Sequence, residues 1–336
     1  MNNELDSRKQ LPKTEIACKD GIIRIDPQHQ GRIFAELDGA LVHRWDDKVA
    51  KNFHPVEFNN LGGNSLWPAP EGGAFAYNYL DGDWLVQPGV NIAPSEMVAD
   101  MTCQRTVTLS NRKAQTLGVT FRRAVAAIDV ADIVSTFGIK GIAYHETDTI
   151  LFDTPRNPQD ATVAAWSLEQ FAGSEGILAF GRVKKDSRKS VNMNFYGNPL
   201  PRLAFSDGWF KFTLGGEDRL QIGVSAAAVP EFIGAYVPAK SLLIIRRCAA
   251  GAGTRIDIAD NDQPNGIYGA NDQYSIFNGA TLDFFELETI APVIFDKNGY
   301  VAGSLLSSES YFFKGNPQKL LTLLRNAFGM PASFEF

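Results

Sequence analysis

Apolar residues in this chain come in short runs closed by Gly, Pro, Asn or Asp, and hardly any run repeats at helical spacing. That texture calls for strands and turns. Ile22–Ile25, Ile33–Leu37, Gln104–Leu109, Leu117–Val125 and Ile128–Phe137 read as successive strands. Thr147–Phe152, Thr162–Gln170, Ile177–Val183, Trp209–Leu214 and Leu220–Ala226 follow, and then Ser241–Arg247, Ser275–Phe277 and Leu282–Ile290. The 23 Phe and 30 Gly suit such strands and turns. One segment reads clearly as helix: Asn316 can cap it, Pro317 fits its first position, Leu320, Leu321 and Leu324 share a face, and Gly329 stops it. A shorter helix is expected within Leu41–Ala50. Many strands with almost no helix imply an all-β protein, a large antiparallel β-sandwich with a short C-terminal helix. No repeat of fixed period supports a propeller or solenoid. No linker divides the 336 residues, so one domain over 15–336 is expected, behind a loose polar leader at 1–14.

Charge narrows the partners. The chain holds 32 basic and 38 acidic residues, a net charge of −6. Its densest basic run, Lys184-Lys185 with Arg188-Lys189, reads as a solvated hairpin, so no nucleic-acid partner is expected. No apolar run is long enough for a membrane-spanning helix, and no membrane partner is expected. The polar N-terminus points to a cytoplasmic protein, or a periplasmic one if a signal peptide preceded it. Cys18, Cys103 and Cys248 are scattered and form no C-x-x-C pair. His29, His43, His54 and His145 form no H-x-H or H-E-x-x-H motif, so neither a metal nor a cofactor is expected. Asp260–Gly266 has the texture of a calcium loop, but Asp272 stands where the bidentate Glu belongs, which favours an acidic turn. Gly251-Ala252-Gly253 lacks the rest of a dinucleotide fingerprint.

Two segments carry chemistry. In a strand Phe284–Thr289, Phe285, Leu287 and Thr289 face one way, while Phe284, Glu286 and Glu288 face the other. The two carboxylates then lie about 7 Å apart. Two carboxylates among apolar neighbours need a reason. Either they pair with arginines such as Arg246, Arg247, Arg122 or Arg123, or one is a general base lining a cleft. The second segment, Asn59-Asn60-Leu61-Gly62-Gly63-Asn64, is a turn cluster leading into Leu66-Trp67-Pro68-Ala69-Pro70-Glu71. Its prolines favour an extended loop presenting Trp67 and Glu71. An indole stacks on the C–H face of a pyranose, and amides and carboxylates take its hydroxyls. The alternative is a sandwich corner with Trp67 filling the core.

Leu287-Glu288-Thr289, late in the chain, resembles the Leu-Glu-Thr of the galactose mutarotase (aldose 1-epimerase) superfamily, and Asn59–Glu71 resembles the loop in which Asn-Asn-Gly precedes a catalytic-site histidine. The resemblance implies a supersandwich fold, a sugar or oligosaccharide ligand, and Glu288 as general base. This chain departs from the pattern at both histidines. Trp67 or a neighbour stands at the first. The mid-chain region expected to hold Asn-His-Ser has Arg156 and Asn157, ahead of Trp166, and no histidine. Glu286, Glu71 or His145 would then supply the acid. Asn60, Trp67, Glu71, Arg156, Asn157 and Trp166 are the expected substrate contacts. Two other functions stay open: sugar binding without chemistry, and a lyase or hydrolase using a carboxylate pair. The sequence specifies no oligomeric state.

Overall fold

A computed structural model of the protein describes residues 12–71, 75, 86–111, 115–183, 187–206, 208–226, 231–249 and 272–336. Asp260–Gly266, Gly251-Ala252-Gly253, Lys184-Lys185 and residues 1–11 of the leader lie outside the described residues. The leader's last residues are not loose. The Lys13 carbonyl accepts from Met101 N–H and the Thr14 carbonyl from Ile25 N–H.

Two large antiparallel sheets face each other. The first runs β1 (Glu15–Cys18), β2 (Gly21–Asp26), β3 (Arg32–Leu37), β5 (Gly63–Ala69), β10 (Ala164–Ala172), β19 (Phe284–Ile290), β18 (Asp272–Asn278), β15 (Leu220–Ser225) and β12 (Val191–Asn192), with β4 (Ala40–Leu41) beside β3. The second runs β13 (Leu203–Ser206), β14 (Trp209–Thr213), β11 (Leu178–Arg182), β16 (Phe232–Val237), β17 (Leu242–Cys248), β21 (Val301–Lys314), β9 (Lys140–Arg156), β8 (Thr116–Ile128), β7 (Thr102–Ser110) and β6 (Glu96–Ala99), with β20 (Val293–Phe295) beside β21. The fold is an all-β sandwich. Alternation fills its interior: Ile33 and Ala35 of β3, Leu287 of β19 and Ile276 of β18 meet Ile142, Ile244 and Phe312 from the facing sheet.

Among the described residues, four short helices accompany the sheets: α1 (Asp47–Lys51), α2 (Pro88–Asn91), α3 (Ala131–Phe137) and α4 (Pro317–Ala327). The C-terminal helix forms as its sequence prescribes, with the Asn316 side chain accepting from Gln318 N–H at 2.9 Å. Its leucines bury against Phe180, Phe232, Leu243 and Phe313, so it covers the outer face of the second sheet. The run Ile128–Phe137 is not one strand. Asp129 accepts from Ala131 N–H and Gly138 closes the turn at φ 58°, so the segment after β8 becomes α3.

The interior is not wholly apolar. Arg123 grips Asp148 through Nε and Nη2, both at 2.8 Å, and donates to the Asn64 carbonyl at 2.6 Å. Arg246 donates to Glu169 at 2.8 Å and to Glu146 at 2.7 Å. His43 Nδ1 accepts from Ala35 N–H, so the neutral ring carries its proton on Nε2 and donates it to Glu169 at 3.0 Å. Burial opposes the Glu169 charge, but Arg246 and donors from His43 and Tyr144 hold its carboxyl down at about 2. These groups come from both sheets and tie them together. They also settle where the arginines go: Arg123 and Arg246 serve interior acids and do not pair with Glu286 or Glu288.

Candidate functional site

The site lies on the outer face of the first sheet, opposite the charged interior. Alternation in β19 sends Leu287 and Thr289 inward and Glu286 and Glu288 outward. Register then sets their neighbours. Glu286 lies between Gln170 of β10 and Phe277 of β18, and Glu288 between Leu168 and Ser275. Trp166 pairs with Trp67 on one side and Ile290 on the other. Of these, Trp67, Trp166, Leu168, Phe277, Glu286 and Glu288 line a depression of about 300 Å³.

One wall is aromatic. The Trp67 and Trp166 rings meet edge to face at 5.8 Å, and Phe58 packs against Trp67 at 5.5 Å. The other wall holds Tyr196 and Phe277, with the Arg219 guanidinium 3.9 Å over the tyrosine ring. Tyr196 Oη donates to Glu71 Oε2 at 3.2 Å, which brings the third carboxylate to the rim. Burial, with the Glu71 charge, pushes the tyrosine hydroxyl up to about 12.

The two floor carboxyls are 8% and 1% exposed for Glu286 and Glu288. Gln170 Nε2 donates to Glu286 at 2.9 Å, and Trp166 Nε1 donates to Glu288 at 3.0 Å. Burial raises Glu286 to about 7, with Glu71 adding to the rise and Gln170, Arg32 and Arg219 opposing it. Burial and the adjacent Glu286 raise Glu288 well above the ordinary carboxylate range, against the Trp166 hydrogen bond. Three carboxyls in one depression resist ionising together, so at neutral pH it retains a proton that can be given or taken.

Trp67, Glu71, Trp166, Glu286 and Glu288 converge on this depression. Trp67 does so from a strand, where the sequence suggested a loop. Pro68 is tolerated there because, among the described residues, β3 pairs with β5 only at Asn64 and the ladder on that side of β5 does not reach the proline. The other four expected residues do not line the depression. His145 alternates with Tyr144 and Glu146, which enter the interior. It therefore faces out from the second sheet, where its Nε2 meets Ser307 Oγ at 2.8 Å. Strand parity thus removes it as the acid. Arg156 ends β9 beside Asp153, 3.8 Å away, and Asn157 caps the next turn by accepting from Gln159 N–H. The Asn60 carbonyl accepts from Arg44.

Tyr196, Arg219, Gln221 and Phe277 line the depression without having been singled out in the sequence, and Phe284 lines it too. Phe284 was legible through its parity with the glutamates. Phe277 required the β18–β19 register, and Tyr196 and Arg219 lie outside the regular strands, where no period marks them.

Fold and site together define an all-β sandwich with an acidic, aromatic-walled depression on one open sheet face. The chain belongs to the family described as "Family of unknown function (DUF6786)", whose model matches residues 5–333. No curated protein matches it. Among solved structures it is similar to a crystal structure of 4-alpha-glucanotransferase from Thermococcus litoralis, with 8% identity and a TM-score of 0.33. That alignment covers 90% of this chain and 37% of the other, a likeness too remote to carry an argument.

Proposed function

We propose that the depression binds a sugar and exchanges protons at its anomeric centre, an aldose 1-epimerase-like activity on a mutarotase-like supersandwich. The observation that carries this reading is the meeting of two indoles with three carboxyls in one hollow. The indoles form an aromatic wall for a pyranose to pack against, and the carboxyls offer acceptors for its hydroxyls. The volume of about 300 Å³ is at the small end of ligand sites and suits a single sugar unit.

Ring opening needs a base at the anomeric hydroxyl and an acid at the ring oxygen. Glu288 takes the proton from O1 in the minor arrangement of the coupled pair, in which the retained proton has moved from Glu288 to Glu286. Glu286, protonated, gives one to O5 as the C1–O5 bond breaks. C1 turns about its bond to C2, and closure on the other face returns both protons. Because the pair shares a retained proton, the rate follows a bell-shaped pH profile belonging to both groups.

Polarimetry on freshly dissolved α-glucose, α-galactose, α-xylose and α-mannose tests this, with Glu288→Gln expected to lower the acceleration at least 100-fold. Sugar binding without chemistry is the second reading, favoured by the absence of a histidine among the described lining residues. It predicts sugar-induced melting shifts, lost in Trp67→Ala, with no acceleration. Folded protein that neither accelerates nor binds any of these sugars ends both readings.

A further inference from the structure

A second and larger hollow, about 520 Å³, opens on the same outer face of the first sheet. Phe34 of β3 forms part of its floor, since Ile33 and Ala35 on either side point into the core. Trp45 stands over it. The indole is fixed by three contacts: Nε1–H donates to Asp47 at 2.9 Å, and the His29 and Phe34 rings pack T-shaped against it at 5.5 and 5.2 Å. Even so it is 36% exposed. An indole held rigid yet left open is a ready stacking surface at low entropic cost. Beside it Arg24 bonds to Glu15 at 2.6 Å and lies 3.4 Å from Glu36, placing donors and acceptors side by side as a polyol requires. Glu15, Asp26 and Glu36 outnumber Arg24, which disfavours an anionic ligand, and the charged rim disfavours an apolar one.

Polar groups extend from the acidic depression towards the larger hollow. Between Phe34 and Glu286 lie Arg44 and Gln170. Arg44 donates to Gln170 at 3.3 Å, Gln170 donates to Glu286 at 2.9 Å, and the Arg44 guanidinium sits 5.8 Å from the Phe284 ring centre. From β3 to β19 is three strand spacings, about 14 Å. That span exceeds one sugar unit and fits a short chain.

We propose that the Trp45 hollow is an accessory subsite, so that the ligand is an oligosaccharide with its terminal unit in the acidic depression and a later unit on Trp45. The proposal rests on the sugar reading of that depression.

Isothermal titration with cello-, malto- and xylo-oligosaccharides of one to six units tests it. The expected result is affinity that climbs at least tenfold with chain length in one series. In Trp45→Ala that climb disappears while affinity for the single unit is unchanged, and Trp45→Phe restores part of it. Trp67→Ala, in contrast, loses every length. Equal wild-type affinity for one and six units overturns the subsite, as does a chain-length gain that survives in Trp45→Ala. Unchanged binding of the single unit reports that Trp45→Ala is folded, and the wild-type series tests the subsite without any variant. No binding at any length overturns the sugar reading itself, and the subsite with it.

Discussion

The Trp166 indole donates to Glu288 Oε2 at 3.0 Å from the neighbouring strand. It acts against burial and Glu286, both of which favour the protonated acid. Trp166→Phe keeps most of the ring and removes the donor. Glu288 should then hold its proton still more tightly, with a stability loss of about 1–3 kcal/mol. Carbon-13 titration of labelled glutamate side chains reads the shift directly. A Glu288 resonance that titrates as in the wild type would show that the bond does not tune the acid.

Glu286 gives a stability signature of definite sign. Its folded value of about 7 lies above the ordinary carboxylate value, so the folded state holds this proton more tightly than the unfolded chain does. The stabilising contribution is complete at pH 4 and is lost as pH rises towards 7. Glu286→Gln never ionises and escapes that loss. The variant should therefore gain on the wild type between pH 4.5 and pH 8, by about 3 kcal/mol. Urea unfolding at those two values measures it. A constant difference across the range would place Glu286 at an ordinary carboxylate value.

The sequence made much of this legible because strand parity is local. Phe284, Glu286 and Glu288 share a face whatever lies beside them, and the Asn316-Pro317 start of the last helix is a local signal. The same rule applied to β9 would have sent His145 away from Glu146, but only once the inward face of that strand was known. The long strand Val301–Lys314 escaped notice because Ser307, Ser308, Glu309 and Ser310 make its centre polar. Their reason is nonlocal: Ser310 Oγ donates to Glu169 at 2.8 Å, and Ser308 meets Thr289 at 3.1 Å. A buried charge network reads as surface until its partners are assembled.

That network should be costly to break from one side. Arg246→Met strips Glu169 of its arginine and leaves Glu146 with Arg123 alone at 3.2 Å, and a loss of about 3–5 kcal/mol is expected. Glu169, held at about 2, stabilises the fold above the ordinary carboxylate value, a contribution lost as pH falls towards 2. In Arg246→Met that acid-side loss should shrink. Arg246 also takes Ser167 and Thr289 as partners, whose neighbours Trp166 and Glu288 line the depression, so ligand affinity should fall along with stability. Urea midpoints at pH 3 and pH 7 test the first claim. A wild-type-like midpoint at pH 7 would mean the acids take up protons and need no cation.

Gly63 lies under the floor of the larger hollow. It sits at φ 74°, and a Cβ there would lie 2.7 Å from the Phe34 ring, which also packs against Trp45. Gly63→Ala therefore combines a strained backbone with a clash against a floor residue of the larger hollow. Gly299 separates the two effects, since it has φ 80° and a methyl added there would meet nothing within 4 Å. Gly299→Ala should cost about 1 kcal/mol from backbone strain alone, and Gly63→Ala about 2–4 kcal/mol. Displacing Phe34 also moves the ring that fixes the Trp45 indole. Gly63→Ala should accordingly quench or shift Trp45 emission, measured in a chain with the other tryptophans replaced by phenylalanine, whereas Gly299→Ala should not. Equal stability losses at the two glycines would show that Phe34 gives way freely and that the floor is soft.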